Sequence, residues 1–295
     1  MSRRAALAAV VGVLLVASVA RAEVPAPAPL TPLDQVYARA LALSAYRGLP
    51  AENDGIFYNA AALAAGKAFS FEGGYLVGRV GNENATTFWG FSAVDSSTSP
   101  MTGGFAWTHV DTMGYRTRGA TGGLTSVALA FPMGQGFFLG ATLNYLVLYS
   151  DLENVNAANV SPAIFWQIAR IVSVGAAGYN LINTGHDAIT PPGLGVGVGV
   201  GDQRIARVGA DWYRAWSREG PVSDVWSAGG EVFLFDVVSL RGGWQHGSQR
   251  RTNAWSAGFG MMVSGFGFDV GYRQQFGTVT YRVLAGTLKV AVPGM

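Results

Sequence analysis

Seven charged residues carry the most suggestive spacing in this chain. Glu231 and Arg241 lie five residues on either side of Asp236, so a hairpin turning at Asp236 sets them face to face. Arg207 and Asp211 stand four apart, as do Asp269 and Arg273, and Glu72 shares their parity within its own segment. Opposite charges at such positions pair and brace a sheet. Aimed into a channel, the same charges form a polar constriction that selects solutes.

Catalytic and metal chemistry are poorly supplied. His109, His186 and His246 fall in separate segments, and none has a partner at metal-ligand spacing. Ser248 lies two residues from His246, a pairing too common to mark a nucleophile. We therefore expect no enzyme, no metal and no cofactor. The run from Gly193 to Gly201 alternates G-x-G-x-G-x-G rather than G-x-G-x-x-G, and no helix follows it, so it is not a nucleotide loop. It reads as a strand with one face free of side chains. Gly195, Gly197 and Gly199 leave room there for another segment, or a ligand, to approach the wall.

The elements that position these residues are strands. From about residue 67 the apolar residues alternate. Leu139, Leu143, Tyr145 and Tyr149 oppose Gly140, Thr142, Asn144 and Ser150, and Leu194, Val196, Val198 and Val200 oppose the glycines. Fourteen such segments follow, near 67–80, 86–95, 101–111, 122–132, 136–150, 161–169, 171–181, 193–202, 204–216, 225–235, 237–247, 253–263, 266–275 and 278–291. Each is about the length that spans a bilayer at a tilt, roughly 10 residues. Tight links at one end and longer ones at the other match an outer-membrane barrel. Tyr75, Trp89, Trp107, Trp212, Trp226, Trp244, Trp255 and Tyr272 fall on the outward parity and are expected in aromatic girdles.

Composition agrees. Hydrophobic residues make up 49% of the 295 and charged residues only 13%, yet past residue 22 no apolar run reaches 18 residues. With 41 glycines and no cysteine, the chain suits a closed barrel that needs no disulfide. The formal charge is +2, of which Arg3, Arg4 and Arg21 carry three, leaving −1 for the rest and no basic patch for nucleic acid. Arg3 and Arg4 precede an apolar run to Ala20, and Ala20-Arg21-Ala22 forms an A-x-A site, so 1–22 reads as a signal peptide. Residues 23–65 follow as a Pro/Ala-rich linker and a helical segment, with apolar residues at 33, 36, 37, 40, 41 and 45 on one helical face. Residues 66–295 form the barrel. The fold class is all-β: a single transmembrane antiparallel barrel of about 14 strands with a short helical N-terminal hatch.

The stretch from Ala45 to Tyr75 contains Ile56-Phe57-Tyr58-Asn59 followed by Ala61, Leu63 and Ala64. It resembles the N-terminal signature of FadL/PorV-like outer-membrane barrels, with Ala60 and Ala62 where that pattern has proline and glycine. The resemblance implies a 14-stranded barrel in the bacterial outer membrane, with its N-terminal segment inside the lumen as a hatch. It implies two branches of function: passage of hydrophobic small molecules, or service to exported proteins in secretion or surface attachment. Partners are then outer-membrane lipid and either apolar small molecules or exported proteins. The candidate ligand lining is Phe57, Tyr58 and Asn59 with the glycine wall at 195–199, and Asn59 is expected to hydrogen-bond and hold its turn.

Overall fold

The structure, a computed structural model, describes residues 37–49, 51–66, 68–80, 83–112, 120–150, 154–184, 190–202, 204–217, 220–248, 252–276 and 280–293. The expected signal peptide at 1–22, the expected linker at 23–32, the first residues of the expected helix and His186 lie outside them.

Period-2 alternation becomes a ladder of antiparallel strands: β1 (Ala68–Val80), β2 (Glu83–Asp95), β3 (Thr102–Thr112), β4 (Ala120–Gly134), β5 (Phe137–Ser150), β6 (Val155–Ala169), β7 (Val172–Tyr179), a two-residue β8 (Ile182–Asn183), β9 (Gly193–Asp202), β10 (Ala206–Ser217), β11 (Gly220–Leu234), β12 (Val238–Gly247), β13 (Thr252–Val263), β14 (Phe266–Phe276) and β15 (Tyr281–Pro293). β8 only extends the line of β7 along β6, so the wall has 14 strands. β1 pairs with β15 and β5 with β6, so no edge is left open.

Three of the turns at one end are short and left-handed, the form that suits hairpins of right-twisted strands. Gln135 and Gly136 link β4 to β5, and Ser264 and Gly265 link β13 to β14, all at positive φ. Phe235 and Asp236 (φ 56° and 57°) turn β11 into β12, which pairs Leu234 with Val238 and Glu231 with Arg241. At the other end β6 and β11 begin earlier than their alternation suggests, at Val155 and Gly220.

The outward face is apolar along its height. Leu143, Val198, Leu240, Val270 and Leu284 are all exposed. The aromatics do not all form girdles. Trp89 and Trp107 sit mid-strand and meet edge-on, and Trp107 packs on Phe91, which also packs on Phe71 and Phe105, a ladder across β1, β2 and β3. Bulky rings at adjacent outward positions pack on each other wherever the register sets them side by side.

The hatch lies inside. Helix α1 (Ala38–Leu43) rests against β12 to β15, and α2 (Gly55–Tyr58) leads into a 3-10 turn (Ala60–Ala65) against β4 to β6. Of the helix expected over 33–47, the described residues hold this six-residue α1, buried on every side, Arg39 included. Ser44, at φ 60°, ends it, and the hydroxyl of Ser256 on β13 donates to Ala42 O at 2.8 Å.

Candidate functional site

The site is the lumen and the segment that fills it. Between α1 and α2 the chain runs along β9, where side chains are missing. A Cβ on Gly197 would stand 2.6 Å from Gly48 N, and one on Gly195 or Gly199 would collide with Arg47 or with Gly48 O. The room these glycines leave is thus taken by the hatch loop. Ser173 on β7 donates to Gly48 O at 2.6 Å.

Arg47 anchors this loop. Its guanidinium lies 5.1 to 5.2 Å from the rings of Tyr46, Tyr179 and Tyr213, close enough for cation–π attraction. Its Nε donates to Tyr179 Oη at 2.7 Å, and Nη1 reaches Asp211 Oδ2 at 3.5 Å. Asp211 also accepts the backbone N–H groups of Tyr46 and Arg47, at 2.8 and 3.0 Å. Asn59 Nδ2 donates to Arg47 O and to Ile164 O on β6, both at 3.1 Å, and so ties the two halves of the hatch to each other and to the wall. Tyr179 Oη donates to Tyr58 O at 2.6 Å, and Thr142 Oγ1 to Ile56 O at 2.8 Å.

The remaining charges form one network at the level of the short turns. Glu231 accepts Arg241 Nε at 2.8 Å and pairs with Arg207, and Arg39 of α1 reaches it at 3.5 Å. Arg241 continues to Asp269, which also holds Lys289 Nζ at 2.9 Å. Lys289 crosses to Glu52 of the hatch at 2.7 Å, and Arg39 closes the circuit on Glu52 at 3.7 Å while also holding Asp54 at 2.7 Å. Four cations meet four carboxylates, most of them buried, so the wall and hatch carry each other's counterions.

Two expected pairings take other partners. Arg207 binds Glu231 while Asp211 binds the hatch, and Asp269 binds Arg241 and Lys289 while Arg273 donates to Leu41 O at 3.3 Å. Along an extended strand, residues i and i+4 are about 13 Å apart, too far for direct contact, so partners come from neighbouring strands or from the hatch. Sequence reasoning passed over Arg39, Arg47, Glu52, Asp54 and Lys289. Lys289 shares the inward parity of Thr287 and faces Glu72 across β1, a signal that was available.

Away from this network the lumen carries an apolar cluster, set among uncharged polar side chains such as Ser126, Asn144 and Asn159. Leu76, Phe88, Val110, Leu124, Leu146, Val155 and Val283 point inward from β1 to β6 and β15 and are buried. They form one cluster with Tyr37, Ile56, Phe57 and Tyr58 of the hatch. Phe57 lies 5.7 Å from Tyr37 between ring centres, and Tyr58 lies 4.0 Å from Tyr46. The oily part of the lumen thus lies towards the longer links, on β1 to β6 and β15, and the charged network towards the short turns, with β1 and β15 carrying residues of both kinds.

A closed 14-stranded barrel plugged by its own N-terminal segment defines the class, an outer-membrane-type β-barrel of FadL-like architecture. Among solved structures the chain is similar to the CymD monoaromatic hydrocarbon channel (TM-score 0.69, 11% identity, covering 89% of this chain and 98% of that one). It is similar also to the toluene transporter TbuX of Ralstonia pickettii (TM-score 0.66, 10% identity, 90% and 100%) and to a FadL homologue of Pseudomonas aeruginosa (TM-score 0.61, 11% identity, 91% and 99%). No family model and no curated protein sequence matches the chain.

Proposed function

We propose that this protein is a bacterial outer-membrane channel for hydrophobic small molecules rather than an enzyme, with residues 1–22 as its export signal and the structure as its closed state. One observation carries the reading. Lumens of water-filled barrels are polar, whereas here inward-facing apolar side chains run from Val80, Leu148 and Tyr281 near one mouth down to Phe57. Against those side chains water gains nothing, and an apolar solute does. The similar barrels named for hydrocarbons and toluene support the same class of solute.

The hatch is compliant on the oily side. Phe57 packs there through apolar contacts, which a hydrocarbon can replace one for one. The ionic side cannot be replaced in this way, because separating its charges leaves them buried and unpaired. Phe57, Tyr58 and Asn59 are then the residues that meet the solute, and the strip Gly195, Gly197 and Gly199 seats the loop that must shift. The lumen charges Glu231, Arg241, Arg207, Asp211, Asp269 and Arg273 hold the hatch.

The test is uptake of radiolabelled toluene, against arabinose, by cells lacking other hydrocarbon channels. Expression should speed toluene entry and leave arabinose entry unchanged, while deletion of residues 37–65 should admit both. If toluene enters no faster and an exported protein copurifies instead, the barrel serves secretion and the channel reading falls.

A further inference from the structure

At the end carrying the short turns, a cavity of about 260 Å³ lies between the β6–β7 and β9–β10 turns. Hatch residues Leu49 and Ala65 form its inner side. Three arginines line it: Arg170 from the first turn, Arg204 from the second, and Arg207 at the foot of β10. Arg207 is engaged by Glu231. Arg170 and Arg204 are exposed, and neither guanidinium has a partner among the described residues. The one acid in the lining, Asp202, accepts the backbone N–H of Arg204 at 2.8 Å within its own turn. The cavity therefore has an excess of positive charge and two free planar donors.

Its surroundings are those of a membrane boundary. Ile168, Ile171 and Ile205 are about half exposed beside the arginines, and Phe235 on the neighbouring turn is 93% exposed. Ile171, exposed in its turn, and Val200, exposed on the outward face of β9, both line the cavity. Apolar side chains at strand ends mark where hydrocarbon gives way to head groups, and cationic side chains at that level attract anionic lipid.

We propose that this cavity holds the phosphate head group of an anionic membrane phospholipid, its acyl chains passing over the rim at Ile171 and Ile205 to lie along the outer wall at Val200 and Ile168. Guanidinium forks suit phosphate oxygens in geometry as well as charge. Because Leu49 and Ala65 complete the cavity, the lipid also touches the seated hatch. The proposal rests on how the barrel sits in the membrane and not on which solute the lumen passes.

Native mass spectrometry tests it. The full barrel is exchanged into detergent containing phosphatidylglycerol and then stripped of loosely held lipid. Wild type should keep one phosphatidylglycerol per barrel, and Arg170→Gln/Arg204→Gln should keep at least tenfold less while still migrating faster unboiled than boiled. Millimolar inorganic phosphate should not displace the lipid. Equal retention by the double variant overturns the proposal. Displacement by inorganic phosphate overturns it too, since the site would then take a free anion.

Discussion

Gly48 of the hatch and Gly197 of β9 meet backbone to backbone, and neither position has room for a methyl group: a Cβ on Gly48 would lie 2.5 Å from Gly197 C. Backbone on both sides cannot yield as a flexible side chain would. Gly197→Ala should therefore push the loop off the wall at a cost of about 1–3 kcal/mol, the usual range for overpacking. Single-channel recording in planar bilayers should show larger or more frequent openings. Val198→Ala, which changes the outward face of the same strand, should leave conductance as it was. Wild-type conductance in Gly197→Ala would mean that this contact does not hold the hatch.

Asp211 gathers Arg47 and two backbone N–H groups of the hatch loop. Replacing it with alanine strands a buried guanidinium, a loss of about 3–5 kcal/mol where one partner of a buried pair is removed. Asp211→Asn keeps one acceptor oxygen and should lose less. The temperature at which the unboiled band shifts on a gel should fall in the order wild type, Asn, Ala. Arg47→Leu placed on Asp211→Ala should recover part of the loss, and no recovery would mean that the two groups act separately.

Glu231 serves three arginines, whereas Arg241 serves two carboxylates. Glu231→Ala should thus cost more than Arg241→Ala, and the double variant less than their sum, with a coupling above about 0.5 kcal/mol. Unfolding in urea, followed by tryptophan emission, gives the four values needed. Additive losses would sink the claim that they interact.

Acid should loosen the hatch through Glu52. Burial pushes its carboxyl up, but the Lys289 ammonium, then the Arg39 and Arg241 guanidinium groups, outweigh burial and hold it below the ordinary carboxylate value of 4.5. With the seated pKa depressed, the anion's contribution is complete above pH 4.5 and is lost as pH falls through the lower, seated value. Conductance of wild type should rise below the usual carboxylate range. Glu52→Gln should already be elevated at pH 7 and change less on acidification. An identical acid response in both would assign the effect elsewhere.

The wall was readable because lipid and lumen impose a strict two-residue period, and every expected strand is present. Its ends were less so. β6 begins in Asn156 and Asn159 and β11 in Pro221 and Ser223, residues poor in strand propensity that the neighbouring ladder recruits. The Glu231 and Arg241 register followed from turn position alone, because both residues sit on one hairpin. The hatch charges did not follow. Arg39 occupies what a helical projection shows as a wet face, and its partner Glu231 lies far along the chain on a wall that local periodicity cannot bring near. Asn59 was expected to hold its own turn. Its second bond, to Ile164 O, depends on how the barrel closes.

The contacts between the hatch and β15 also bear on assembly. Ala38 N donates to Thr287 Oγ1 at 3.2 Å across 249 residues, and Lys289 reaches Glu52 across 237. β15 is also the strand that seals against β1. The hatch precedes every strand of the wall yet receives its last partners only when β15 arrives. A seam that sealed over an empty lumen would bury Asp211, Glu231 and Lys289 without their hatch partners. The hatch thus acts as a template around which the wall is drawn shut, and supplying residues 37–65 as a separate peptide after closure should not restore it.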